Sequence, residues 1–172
     1  MQKFNRIVLL FFVVAALVAC DQATKVLAQR TLSPQAVSYW NDLFRLQFAQ
    51  NNGAFLSLGS LLPEQTRFWV FTILVSVFLL GLLIYALRVA PKTSLIVLIA
   101  LALILGGGAS NLLDRILHDG LVIDFMNIGL GPLRTGIFNV ADMAITSGLI
   151  LLIVQELRTR GHHDDQFTGN PG

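Results

Sequence analysis

Residues 17–25, "LVACDQATK", support two incompatible readings, and the number of membrane spans depends on which is right. Lys3 and Arg6 precede an apolar run from Ile7 to Ala19, and Leu17-Val18-Ala19-Cys20 ends it. A basic start, a greasy middle and small residues before a cysteine are the marks of a lipoprotein signal segment that is cut away. Asp21 and Lys25, however, stand four residues apart. In a helix continuing through Ala23, Val26, Leu27 and Ala28 they would share one face. The segment would then be a first membrane span with a charged wall at its end.

The rest of the chain favours the second reading. Of its 172 residues 55% are hydrophobic and 13% charged, about half the usual charged fraction of a soluble domain. Three later segments, residues 68–87, 95–113 and 137–157, approach the roughly 20 apolar residues that cross a bilayer. With residues 7–28 they make an integral membrane protein of the all-α class with four transmembrane helices. Cleavage before Cys20 would leave three spans and turn Asp21 and Lys25 into a loose terminus. The segment is therefore expected to stay in place.

The formal net charge is +2, and the basic residues lack aromatic interleaving, so nothing points to nucleic acid. One cysteine excludes an internal disulfide or a CxxC site, and three histidines, two of them adjacent in the tail, argue against a structural zinc. Four spans place Lys3, Arg6, Arg88, Lys92, Arg158 and Arg160 on one side in short flanks. Short basic flanks set orientation, so both termini are expected in the cytoplasm. The outer connection from Gln29 to Arg67 is too long for a plain link. Within it "FRLQFAQ" alternates like a short half-buried strand, and Asn51-Asn52-Gly53 reads as a turn. Residues 57–60 offer a return strand or a surface-lying segment. Residues 1–160 form one expected domain, and the polar tail 161–172 is expected to be disordered.

Polar residues cluster at the outer helix ends. Asn111 and Asp114 are three apart on the third span, with Arg115 beside them, and Asn139 and Asp142 repeat that spacing on the fourth. Most of these have ordinary explanations. Asp114 and Arg115 suit a structural ion pair or cap, Asp21 and Lys25 a structural or substrate-contacting pair, and Asn111 and Asn139 polar glue between helices. His118 and Asp119 read as a solvated turn, and the His162–Asp165 cluster as a solvated tail.

Asp124 and Asp142 differ, because each sits among apolar residues with no cation adjacent in sequence. A carboxylate at a helix centre costs about 2.5–3.5 kcal/mol on insertion scales, and less near an interface. Brought together, two such groups cannot easily both ionise, so one becomes an acid and the other a base. That pair can activate water against an amide. The residues alone leave an aspartic hydrolase beside a proton-coupled multi-pass transporter and a structural membrane protein.

"DQATK", "NNGAFLS", "NLLDR", "VIDF" and "FNVAD" resemble, in order and spacing, the motifs of lipoprotein signal peptidase (signal peptidase II), a bacterial aspartic membrane protease family. The resemblance spans the chain from first to last span. It implies four transmembrane helices and a small periplasmic β-cradle in the first outer loop, in the bacterial inner membrane, with the active site at the periplasmic surface. It implies cleavage of diacylglyceryl prolipoproteins before the lipidated cysteine, contact with membrane lipid, inhibitors such as globomycin, a monomer, and no cofactor or metal. Carried over by position, Asp124 and Asp142 are the catalytic dyad. Asp21, Lys25, Asn51, Gly53, Asn111, Asp114, Arg115 and Asn139 bind substrate or support the site. The chain departs from the family at Phe55 and Leu56 in the cradle motif, and at Ser110, where glycine is usual.

Overall fold

The computed structural model describes residues 3–51 and 63–168. Gly53, Phe55 and Leu56, with the second half of the Asn51-Asn52-Gly53 turn and the segment 57–60, lie outside them. Four long helices, α1 (Lys3–Thr31), α2 (Glu64–Val89), α3 (Leu95–Leu117) and α4 (Val140–Thr168), carry a small antiparallel sheet of β1 (Val37–Tyr39), β2 (Phe44–Asn51), β3 (Val122–Leu130) and β4 (Leu133–Arg134). All four helices are long and apolar enough to cross a membrane. α1 runs unbroken through Leu17–Lys25, so the opening stretch is helix throughout.

α3 is the central helix: 56% of its apolar window is buried, against 6–17% in the other three. Leu98, Leu101, Ala102 and Leu105 of α3 pack with Leu10 of α1, Ala86 of α2 and Ala90, which caps the end of α2. The outward faces stay apolar, as with Phe12, Leu80 and Leu157. Against lipid, burying such groups gains little, so close packing and interhelical hydrogen bonds must hold the bundle.

Gly106-Gly107-Gly108 supplies that closeness. A Cβ on Gly107 would lie 2.4 Å from the Ala141 carbonyl oxygen and 2.8 Å from Ile145 Cγ1. The first of these is backbone in the opening turn of α4, so it cannot step aside as a side-chain tip can. Gly107→Ala is expected to lose about 1–3 kcal/mol by overpacking, and to cut activity at least tenfold by pushing α4 away from α3. Gly81, whose Cβ would meet nothing within 4 Å, is the control. Thermal unfolding and activity measurements in detergent should separate Gly107→Ala from a near-neutral Gly81→Ala.

The sheet corrects one expectation. "FRLQFAQ" is β2, but the sheet is not built from the first connection alone. β3 and β4 come from the connection between α3 and α4, and β2 pairs with β3 from Phe44↔Ile128 to Asn51↔Val122, with an irregularity between Leu46 and Ala49. Ala49 faces Asp124 across this ladder. The fold is mostly helical, with four apolar helices and a small antiparallel sheet as expected, but the sheet draws its strands from two connections. α4 starts at Val140 instead of 137, because Asn139 caps it, and its backbone helix continues to Thr168 into the polar segment expected to be disordered. Pro171 is the first residue past Val140 that a helix interior excludes outright.

Candidate active site

The capping of α4 fixes one carboxylate. The Asn139 side-chain oxygen accepts from the Asp142 backbone N–H at 2.9 Å, and Asp142 Oδ2 accepts from the Asn139 backbone N–H at 3.1 Å. This reciprocal arrangement is a capping box with Asn and Asp in its two positions. It pins Asp142 in the first turn of α4, where the helix end favours negative charge. The other Asp142 oxygen accepts from Asn111 Nδ2 at 2.9 Å.

Asp124 arrives from β3. Val122 to Phe125 are buried, and Asp124 is 2% exposed. Its Oδ1 accepts from Asn139 Nδ2 at 2.7 Å and its Oδ2 from Asn51 Nδ2 at 3.0 Å. Asn139 therefore touches both carboxylates: its amide NH2 reaches Asp124 while its backbone N–H and side-chain oxygen hold Asp142. Burial, with the Asp142 charge nearby, pushes the Asp124 carboxyl up to about 6, against opposing hydrogen bonds from Asn51 and Asn139.

Behind the pair lies a buried ion network. Lys25 Nζ contacts Asp21 Oδ2 at 2.7 Å, Asp114 Oδ2 at 2.8 Å and Asn111 Oδ1 at 2.9 Å, using all three of its donors. Lys25 is 1% exposed, and Asp21 and Asp114 are fully buried. Asp21 Oδ1 accepts from the Ala141 N–H at 2.8 Å, at the N-terminus of α4, and Asp114 Oδ2 accepts from the Ile123 N–H at 3.0 Å, next to Asp124. Each network carboxylate thus grips the backbone beside one of the paired aspartates. Asn111 joins the two layers, accepting from Lys25 and from Asn139 Nδ2 (3.1 Å) while donating to Asp142.

Asp21, Lys25, Asn51, Asn111, Asp114, Asp124, Asn139 and Asp142 all meet at this end of the bundle. Arg115 stands beside them, its Nη1 donating to the Asn111 carbonyl at 3.2 Å. The Asp114–Arg115 ion pair does not form. Neighbours on a helix point about 100° apart, and Asp114 turns inward to Lys25 instead. His118 and Asp119 do form a turn, with Asp119 at φ 52° and Gly120 at φ 91°.

Two participants had no part in the site read from sequence. Gln22 Nε2 donates to Asp114 Oδ1 at 2.7 Å, and Ser110 Oγ donates to Asp21 Oδ2 at 2.7 Å. Gln22 lies three residues before Lys25, on the same helix face, which was the signal available for it. Among the described residues, no group of three or more His, Cys, Asp or Glu side chains could hold a metal ion. The space between Asp21 and Asp114, where a cation would sit, is filled by the Lys25 ammonium.

The family model for signal peptidase (SPase) II matches residues 13–158. The lipoprotein signal peptidase of Geobacillus thermodenitrificans is 33% identical over 150 residues, covering 87% of this chain and 89% of that one. The lipoprotein signal peptidase of Francisella tularensis subsp. novicida is 37% identical over 153 residues, covering 87% and 92%. A solved bacterial membrane enzyme structure superimposes with a TM-score of 0.69 at 27% identity, covering 86% of this chain and 92% of that chain. From the middle of α1 to deep in α4 the match is continuous, and the chain belongs to the signal peptidase II family.

Proposed function

We propose that Asp124 and Asp142 are the catalytic pair with which this signal peptidase removes signal peptides from prolipoproteins. The observation that carries the assignment is Asn139, whose side-chain NH2 donates to the Asp124 carboxylate while its backbone N–H donates to the Asp142 carboxylate, so that one residue sets their relation. Asp124, whose carboxyl burial raises to about 6, is assigned the acid, and Asp142, whose two oxygens accept N–H donors from Asn139 and Asn111 in the first turn of α4, the base. Asp142 takes a proton from water as the water oxygen attacks the carbonyl before the lipidated cysteine. Asp124 donates to that carbonyl oxygen, and a tetrahedral intermediate forms. Its collapse breaks the C–N bond, with a proton passing to the departing cysteine nitrogen.

The substrate's diacylglyceryl chains stay in lipid while its signal helix lies against the spans, and the chain works as a monomer in the inner membrane. The pair lies at the periplasmic surface, with both termini cytoplasmic. In support, the dyad lies where α3 ends and α4 begins. Arg6, near the start of α1, bonds the Ala90 and Thr93 carbonyls of the α2–α3 link at the other end. The short basic flanks therefore gather away from the dyad. Globomycin-type inhibitors are expected to occupy the same site.

The test is incubation of purified protein with a diacylglyceryl prolipoprotein across a pH series, with the released signal peptide identified by mass. The sign of the pH effect follows from Asp124. Its proton is bound below about pH 6 and lost above, so kcat/KM should fall as pH rises through that region. Bound substrate excludes water and should move the same limb of kcat upward. A kcat/KM that keeps rising from about pH 5 to about pH 8 would place the proton elsewhere. An intact substrate at every pH would remove the enzymatic reading.

A further inference from the structure

We infer that Ser110 is a positioning residue for the reaction of this chain, acting through Asp21 on the first turn of α4. The inference rests on the Asp124–Asp142 reading. Ser110 sits on α3 directly before Asn111 and is fully buried. A side chain at that point threatens the close approach of α1 and α3. Instead it is absorbed by hydrogen bonds. The hydroxyl donates to Asp21 Oδ2 at 2.7 Å and accepts from Gln22 Nε2 at 3.0 Å, and Gln22 Nε2 also lies 3.4 Å from the Ser110 carbonyl oxygen.

The consequence runs to the dyad in two steps. Asp21 Oδ2 is shared by Ser110 and Lys25, and Asp21 Oδ1 holds the Ala141 N–H, one residue before Asp142. With three donors on two oxygens, the carboxylate is fixed in rotation, and a bond from a neutral hydroxyl to a buried charge is among the stronger kinds. Without the hydroxyl, Lys25 is the only side-chain donor to Asp21 among the described residues. Lys25 can then follow Asp21 and loosen from Asn111, the donor to Asp142. Ser110 touches neither substrate nor the paired aspartates, so its effect is on geometry and falls on the chemical step.

Ser110→Ala removes the hydroxyl with least change of shape, Ser110→Gly removes the whole side chain, and Ser110→Thr keeps the hydroxyl. For Ser110→Ala and Ser110→Gly, kcat should fall on the order of tenfold with KM within about twofold, measured on monodisperse protein well below its unfolding temperature. Ser110→Thr should recover kcat to within about threefold of wild type. Unchanged kcat in Ser110→Ala overturns the inference. So does a Ser110→Thr no better than Ser110→Ala, which would assign the loss to shape. A loss that vanishes when only folded protein is counted also overturns it, since the residue would then be structural. Asp142→Asn in the same assay separates the two readings: activity there sinks the dyad, whereas a dead Asp142→Asn with normal Ser110→Ala sinks only the role of Ser110.

Discussion

Asp124→Asn and Asp142→Asn are each expected to lower the rate of signal-peptide release on the order of 10^3-fold or more, with substrate still bound. The two should differ in stability, for a reason visible in their hydrogen bonds. Asparagine at 142 can keep its oxygen toward the Asn139 N–H and so preserve the cap of α4. Its amide NH2 then faces Asn111 Nδ2, another donor. Asn111 cannot flip to relieve this, because its oxygen is already used by Lys25 and Asn139. Asparagine at 124 meets the Nδ2 groups of Asn139 and Asn51, and Asn51 is exposed at the end of β2, where water can serve an unmatched amide.

Asp142→Asn should therefore unfold at a lower temperature than Asp124→Asn, since a buried unmatched donor costs about 1–3 kcal/mol. The double variant should be no slower than either single, because the pair acts as a unit. The measurement is single-turnover cleavage of a lipidated substrate beside thermal unfolding in the same detergent. Residual cleavage within tenfold of wild type in either variant would remove that residue from the chemistry.

Much of this site can be read along the chain where the information is local. Asp21 and Lys25 are four apart on one helix and do pair, and the apolar runs mark four helices of nearly the right extent. The two aspartates set among apolar residues with no adjacent cation are the ones that Asn139 links. What the sequence hides is contact over long separations. Nothing near Asp114 indicates that its partner is Lys25, 89 residues earlier, instead of the adjacent Arg115. β3 is hidden differently. "VIDFM" is a short apolar run, and burial on both faces removes the alternation that would distinguish a strand from a helix segment. Asp124 could thus be singled out as a residue while the strand presenting it, and the sheet shared between two connections, could not.

Lys25→Met is expected to be the most damaging single change outside the dyad, and it acts through stability first. The side chain is 1% exposed, and among the described residues its ammonium is the only cation in contact with Asp21 and Asp114, both fully buried. Methionine fills a similar volume but leaves two carboxylates in the bundle without a countercharge. Breaking a buried ion pair from one side costs about 3–5 kcal/mol, and total stability is of order 5–15 kcal/mol. Lys25→Arg should not rescue it, because a planar guanidinium with five donors cannot reproduce three bonds converging on one nitrogen. Neutralising the partners should: Lys25→Met combined with Asp21→Asn and Asp114→Asn removes both stranded charges and should regain most of the lost unfolding temperature. Activity should stay low even so, because Asn111 has lost the ammonium that fixed its amide toward Asp142. A Lys25→Met protein that unfolds within about 2 °C of wild type would show that the carboxylates are neutralised some other way, and would dissolve the ion network as the support of the site.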